Sequence, residues 1–323
     1  MRKYVQYGFL AFNIYIGLRL YFFYSHYVTA GATPFVSRPP SVEAYLPIAA
    51  LMSLKYFLLT GVIDPVHPAG LIILVAAIAT SLVLRRGFCS WICPIGTLSE
   101  ICHRAGKRLE IIVKPPRFID LPLRSLKYIL LAAFVLVTMQ MDALAIRAFM
   151  NSPFNRIADI KMLLFFKNLS LTAALVLFNL VVLSVIIKNF WCRYLCPYGA
   201  MLALFSKLGP ARIERDPEKC INCNKCDRVC PAYIGIAKAP AVTSLECIGC
   251  LDCVLACPVP ETLEVKMARK KVIKPNVYGL LVVGAFMAII AGAQLTGHWQ
   301  TNITLAEYRQ RIPEAMSPLY TRP

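Results

Sequence analysis

Cys220-Ile221-Asn222-Cys223-Asn224-Lys225-Cys226-Asp227-Arg228-Val229-Cys230-Pro231 puts three cysteines in one tight loop and a fourth just before proline. Cys247-Ile248-Gly249-Cys250-Leu251-Asp252-Cys253-Val254-Leu255-Ala256-Cys257-Pro258 repeats the arrangement. Cys-x2-Cys-x2-Cys-x3-Cys-Pro is the spacing of iron–sulfur ligands, and in paired runs the fourth cysteine serves the other run's cluster. The pattern predicts one [4Fe–4S] cluster on Cys220, Cys223, Cys226 and Cys257, and a second on Cys230, Cys247, Cys250 and Cys253. Pairs of Cys-x2-Cys also suit tetrahedral zinc, but two complete runs, each closed by Cys-Pro, favour iron. The implied chemistry is movement of single electrons.

Around these runs the chain reads as membrane protein. Of 323 residues 58% are hydrophobic and 16% charged, and the mean hydropathy is +0.60. Apolar stretches approach the roughly 20 residues that span a bilayer. Five spans are expected, near 4–24, 65–84, 126–146, 169–187 and 276–297. A shorter apolar stretch near 46–60, carrying Lys55 and flanked by prolines, reads as interfacial or re-entrant. The expected fold is an all-α integral membrane protein with a duplicated hairpin, into which a two-cluster bacterial ferredoxin-like α+β module is inserted. Four parts follow: 1–100, the first hairpin; 101–205, a basic loop and the second hairpin; 206–270, the ferredoxin-like domain; 271–323, the fifth span and an outer tail. Met1-Arg2-Lys3 runs directly into an apolar segment without a small-residue cleavage site, which reads as an uncleaved anchor.

The net charge of +18 is explained by its distribution rather than by nucleic acid. With the N-terminus placed inside, inner segments hold 25 Lys and Arg residues against 9 outside. The positive-inside rule then puts the N-terminus and the ferredoxin-like module in the cytoplasm and the C-terminus outside. The basic stretches His103–Arg108 and Arg269-Lys270-Lys271 sit beside span ends, where anionic headgroups lie.

A second cysteine pattern is duplicated. Gly87-Phe88-Cys89-Ser90-Trp91-Ile92-Cys93-Pro94-Ile95-Gly96 and Phe190-Trp191-Cys192-Arg193-Tyr194-Leu195-Cys196-Pro197-Tyr198-Gly199 both contain Cys-x3-Cys-Pro-x-Gly after a long apolar run. Repeated membrane hairpins commonly place a shared site at the repeat interface. Convergence of Cys89, Cys93, Cys192 and Cys196 would give a third iron–sulfur centre or a soft-metal site. Thiol–disulfide exchange within each pair, and plain packing of buried thiols, are the alternatives. Cys102 has no partner pattern and reads as a core thiol.

On these motifs the chain resembles the membrane-bound polyferredoxin-like 4Fe–4S proteins typified by NapH, together with the membrane half of NosR and the oxidase-assembly protein CcoG. The resemblance covers roughly residues 1–265 and includes the stretch Arg38–Gly70. It implies a quinol dehydrogenase subunit of the bacterial cytoplasmic membrane. Such a subunit would exchange electrons between menaquinol or ubiquinol and partner redox proteins: an iron–sulfur protein, a multihaem cytochrome or a terminal reductase. The CcoG likeness implies a different role, as a metal (copper) reductase or assembly factor for a respiratory enzyme. A cluster-based redox sensor is a third reading. The fifth span and the tail go beyond the four-span members.

Outer-side residues supply candidates for quinol chemistry. Quinol oxidation releases two protons, so a histidine or carboxylate base near the aqueous face is required. Asp64-Pro65-Val66-His67-Pro68 presents Asp64 and His67 between two prolines, with Glu43, His26 and His298 expected in the same region. The competing reading is of interfacial residues wetted by solvent. Haem b through these histidines has no sequence support, and the lack of Cys-x2-Cys-His argues against covalent c-type haem. Arg19 reads either as functional or as snorkelling. Gly284-x3-Ala288-x3-Gly292 is a small-residue stripe suited to docking on other spans or on a partner's helix. The tail should begin a short helix with a capping box, Thr304-Leu305-Ala306-Glu307, and offer Leu305, Tyr308 and Ile312 as a docking surface.

Overall fold

The computed structural model describes residues 1–268 and 271–320. Arg269 and Lys270 of the predicted basic run lie outside the described residues. Helices occupy all five apolar regions: Arg2–Val28, Pro68–Val83, Arg117–Gln140, Leu171–Ile186 and Pro275–Leu295. Length and composition, however, qualify only Arg117–Gln140 and Pro275–Leu295 to cross a membrane among the described residues. Leu171–Ile186 adds a third crossing only if joined to Ala158–Lys167, from which it bends by 85°. The five-span expectation is thus reduced to two or three helices that meet the test. The 16 residues of Pro68–Val83 rise about 24 Å at 1.5 Å each, short of the roughly 30 Å hydrocarbon layer. Arg2–Val28 has the length but is interrupted by Gln6, Asn13 and Arg19. The apolar stretch around Lys55 forms the helix Pro47–Thr60, stopped by Gly61 in the left-handed region at φ 72°.

The chain divides into two compact units that cut across the expected sequential boundaries. The first comprises residues 1–10, 77–132 and 176–287, and the second comprises residues 11–76, 133–175 and 288–323. All thirteen cysteines fall in the first unit.

In the first unit a three-stranded antiparallel sheet carries the ferredoxin-like module: β1 (Ala211–Arg215), β2 (Leu263–Met267) and β3 (Lys271–Ile273), in that order. Alternation decides which face is buried. Ala211 and Ile213 on β1, and Leu263 and Val265 on β2, point into the core, with Ile213 opposite Val265 and Val265 opposite Ile273. Both cysteine runs lie in the connection between β1 and β2. Close backbone approaches hold the helices of this unit together. A Cβ on Gly106 would stand 2.0 Å from the Val185 carbonyl, and one on Gly279 would stand 2.3 Å from the Trp91 ring.

The second unit is centred on Phe23, which packs edge-on against Tyr308 at 5.1 Å. Its core also includes Ile16, Leu20, Val42, Ile160 and Ile312. Thr304 Oγ1 caps the helix Leu305–Arg311 by accepting from the Glu307 amide at 3.2 Å. The expected reciprocal bond is replaced, because the Glu307 carboxylate accepts from Arg156 (2.5 and 2.8 Å) and Arg311 (2.7 Å). Tyr308 and Ile312, expected on a docking surface, are each 1% exposed: the tail folds onto its own unit, and only Leu305 remains outside. Nothing described lies within 4 Å of a Cβ built on Gly284 or Gly292, so the small-residue stripe does not dock on another span there.

Candidate redox-centre sites

Each Cys-Pro dipeptide of the duplicated motif starts a helix, because proline at the first helical position has no amide to leave unpaired. Pro94–Arg108 begins after Cys93 and Pro197–Leu208 after Cys196. The second thiol of each motif therefore sits at a helix N-terminus, where backbone amides and the helix dipole favour negative charge. Cys196 Sγ accepts from the Gly199 amide at 3.2 Å. Gly96 is required by close approach, since a Cβ there would stand 2.2 Å from the Cys89 carbonyl oxygen. The first thiols differ in setting: Cys89 lies in the short helix Gly87–Trp91, and Cys192 in a π-helical turn, Trp191–Leu195.

The structure brings Cys89, Cys93, Cys192 and Cys196 together, with every pair of the four inside electrostatic reach. Burial pushes the Cys93 thiol up to about 12, and the charge of Cys89 adds to the shift. Burial also holds Cys192 well above, and Cys196 above, the ordinary thiol range. Thiolate is the ligating form, and four buried thiolates are costly unless a cation shares the site. Arg86 answers part of that need. Its fully buried guanidinium interacts with Cys89 and Cys196, donates from Nη1 to the Leu245 carbonyl at 2.9 Å, and leaves Nε without a protein partner. Cys102 stands apart, half-buried, its thiol raised by burial.

The two ferredoxin-type runs line two cavities. Cys220, Cys223, Cys226 and Cys257 border one. Cys230, Cys247, Cys250 and Cys253 border the other. Each cavity thus takes three cysteines from one run and the last from its twin. The second is walled by aliphatic residues such as Ile213, Ile236 and Val242, and all four of its cysteines are buried. The first keeps Cys220, Cys223 and Cys257 partly open and has Arg215 and Lys225 on its wall. In both runs the residues flanking the second cysteine are left-handed: Asn222 and Asn224 at φ 54° and 56°, Gly249 and Leu251 at 61° and 62°. Left-handed residues on both sides of a cysteine suit an anion-binding nest of the kind found at iron–sulfur sites. Among the described residues no three His, Cys, Asp or Glu side chains form a single-ion site. All-thiolate donor sets that take the fourth cysteine from the other run suit [4Fe–4S] clusters.

The Cys89 segment is bound to the Cys247 run. Ser90 Oγ donates to the Ile248 carbonyl (2.7 Å), Trp91 Nε1 to the Gly249 carbonyl (3.2 Å) and Arg85 Nη2 to the Val242 carbonyl (2.8 Å). Lys188, at the place before Cys192 that Arg85 holds before Cys89, donates to the Val229 carbonyl at 3.3 Å and faces Cys230 and Cys250. The repeat has otherwise diverged: Arg193 and Tyr194 grip Asp120 on the helix Arg117–Gln140 (2.8, 2.8 and 2.6 Å).

A family model described as a 4Fe–4S binding domain matches residues 66–112 and again 169–215, and one described as a 4Fe–4S dicluster domain matches 212–270. The chain is 42% identical to the putative electron transport protein YccM of Escherichia coli over 97% of its own length and 90% of the relative's. The chain belongs to the ferredoxin-type 4Fe–4S membrane electron-transport family. In this family it is also similar to the ferredoxin-type protein NapH of Escherichia coli, at 28% identity over 54% of this chain and 59% of the relative. Protein NirI of Paracoccus denitrificans is 29% identical over 67% of this chain and 31% of the relative. No solved structure matches. The family's 4Fe–4S binding domain thus falls on both copies of the Cys-x3-Cys-Pro motif.

In the second unit, Asp64 and His67 come together with Glu43, but not as solvent-wetted residues: Asp64 and Glu43 are 0% exposed and His67 is 1% exposed. Asp64 accepts from Ser53 Oγ (2.9 Å) and the Val66 amide (2.8 Å). His67 Nε2 lies 2.6 Å from the Asn155 carbonyl, and Nδ1 lies 3.4 Å from Glu43. Two further histidines expected with them are engaged locally, His26 with the Thr33 carbonyl at 2.6 Å and His298 with Thr296 Oγ1 at 3.1 Å. Arg19 binds Ser37 at the helix surface. Sequence reasoning missed Arg85, Arg86 and Lys188 beside the cysteines, and Arg38 and Asp159 beside His67. The one legible signal was charge set in apolar surroundings, as in Ile157-Ala158-Asp159-Ile160.

Proposed function

We propose that this chain exchanges electrons between the membrane quinone pool and partner redox proteins, with a [4Fe–4S] cluster in each cavity and a third at the Cys89–Cys93–Cys192–Cys196 quartet. When bound, such centres accept and give up single electrons. The observation that carries the reading is the hydrogen-bonded joint between the Cys89 segment and the Cys247 run. It makes the quartet and the aliphatic-walled cavity neighbours on one framework, leaving the more open cavity as the exit. Arg215, Lys225 and the exposed Lys219 around that exit suit a partner with an acidic face.

The excess of Lys and Arg on one set of loops supports a multi-pass arrangement in the bacterial cytoplasmic membrane, with the N-terminus and the cysteine-bearing unit cytoplasmic. The resemblance favours quinol oxidation as the direction. Asp64 and His67 are the candidate quinol-site bases, supported by their burial together with Glu43.

Anaerobic purification with iron and sulfide quantification tests the centres. About twelve irons per chain, falling to about eight in a Cys89→Ser/Cys192→Ser double variant, is expected for three cubanes. Eight in both proteins would remove the third, and zinc without sulfide would remove all. A quinol analogue should then bleach the cluster absorbance of the native protein. No change, where dithionite does bleach it, would overturn the quinol link.

A further inference from the structure

Ser90 follows Cys89 in the chain, and Ile248 follows Cys247. The Ser90 hydroxyl donates to the Ile248 carbonyl at 2.7 Å, the usual length of a good O–H···O bond. Two peptide links and this one hydrogen bond therefore connect a cysteine of the quartet to a cysteine of the aliphatic-walled cavity. A second connection runs beside it, from Trp91 to the carbonyl of Gly249, which precedes Cys250. Ser90 and Trp91 are each 3% exposed, so bulk water does not compete for either carbonyl. All of these residues belong to the first unit.

Anchoring alone does not account for Ser90. The module is already held beside it by Arg85 on the Val242 and Ser244 carbonyls (2.8 and 3.3 Å) and by Arg86 on the Leu245 carbonyl (2.9 Å). Lys127 adds a bidentate contact to the Glu246 carboxylate at 2.7 Å. The Ser90 hydroxyl also has a local acceptor, the Gly87 carbonyl at 3.3 Å, yet its single proton is aimed across the chain at the closer Ile248. Gln6 Nε2 fixes the Ser90 peptide from the other side by donating to its carbonyl at 3.0 Å.

The second copy of the motif is wired differently. Arg193 and Tyr194 hold the places of Ser90 and Trp91 and bond to Asp120 instead. Hydrogen bonding to the module comes there from Lys188, four residues before Cys192, which reaches the Val229 carbonyl at 3.3 Å. That path has more bonds and a longer gap. The thiols of the repeat match, and their connections to the module do not.

We propose that the Ser90–Ile248 hydrogen bond is the route by which single electrons pass between the quartet and the aliphatic-walled cavity. This deepens the function proposed above and rests on its third centre; it needs neither a quinol nor a fixed direction of flow. In balance, one electron is lost on the Cys89 side and one is gained on the Cys247 side, or the reverse. Ser90 keeps its proton, and no covalent bond forms or breaks. Electronic coupling falls off more steeply across a gap than along bonds, so the path with the fewest and shortest gaps carries the electron. Ser90 acts through Cys89 and Cys247 as a positioning residue.

Anaerobically purified, cluster-loaded protein is compared with Ser90→Ala and with Ser90→Thr, which keeps a hydroxyl. Iron content and EPR-monitored potentials are measured first and should be unchanged. After flash photoreduction with a ruthenium dye, relaxation between the quartet and cavity centres should slow several-fold in Ser90→Ala and recover in Ser90→Thr. A native rate in Ser90→Ala, with about twelve irons per chain, would overturn the route and leave the third centre standing. Slowing that Ser90→Thr does not repair would reduce Ser90 to a packing role and overturn it as well. About eight irons in the native protein would remove the third centre and the route together. The wild type decides separately even where a variant loses iron. With both centres reduced, their EPR signals should be split by mutual interaction, and unsplit signals would overturn the route.

Discussion

Trp91 Nε1 donates a hydrogen bond to the Gly249 carbonyl at 3.2 Å across 158 positions of sequence. This bond joins a residue two places after Cys89 to the residue just before Cys250. Gly249 is favoured there over any residue with a side chain: its φ is +61°, and a Cβ would stand 2.4 Å from the Tyr278 hydroxyl. The left-handed conformation is shared with Asn222 in the other run, and only the hydroxyl contact belongs to the seating of the Cys247 run against Tyr278.

Gly249→Ala should therefore disturb the aliphatic-walled cavity selectively. The left-handed conformation and the overlap together should cost about 2–4 kcal/mol. The expected outcome is a lower Tm and loss of roughly four irons of about twelve. Native iron content with unchanged Tm would show that the Tyr278 contact yields without effect.

Arg86 puts a buried positive charge beside Cys89 and Cys196. Burial and charge near the sulfurs are among the means by which proteins set cluster potentials. Arg86→Gln should lower the potential of the centre proposed at the quartet by about 60–120 mV, equivalent to about 1.4–2.8 kcal/mol for one electron. The two cavity centres should move much less. A redox titration followed by EPR checks this, and equal shifts at all three centres would refute it.

Asp120 accepts from Arg193, Tyr194 and Arg124. Asp120→Asn should cost about 3 kcal/mol by leaving Arg193 uncompensated. Thermal unfolding of the variant beside wild type measures it, and an unchanged Tm would show that the Arg193 guanidinium finds another partner.

Much of the cysteine arrangement was legible because ligand spacing is a local property. Three thiolates in one loop must serve one centre, and the Cys-Pro that follows must leave the loop. Cavities shared between the runs are what that reading anticipates. The helices, too, follow from apolar length, but span number does not. Pro68–Val83 is too short, and the 85° bend after Lys167 turns on a brief polar break, Asn168 and the capping Ser170, whose angle composition does not give. The tail misled because a half-apolar helix looks the same whether it faces a partner or its own core. Tyr308 and Ile312 turned inward because Phe23 and its neighbours offered an apolar seat.

The sequence by itself determined which residues can hold iron, which stretches are helical and where the repeat lies, since each depends on neighbours within a few turns of chain. Only the tertiary structure decided that Cys89 and Cys93 meet Cys192 and Cys196, that Arg86 lies among them, and that Asp64 and His67 are sealed from water beside Arg38. Those outcomes depend on close backbone approaches such as that of Gly106 to Val185 and on burial that excludes solvent. Neither is encoded in spacing, because both require segments far apart in sequence to compete successfully with water for the same contacts.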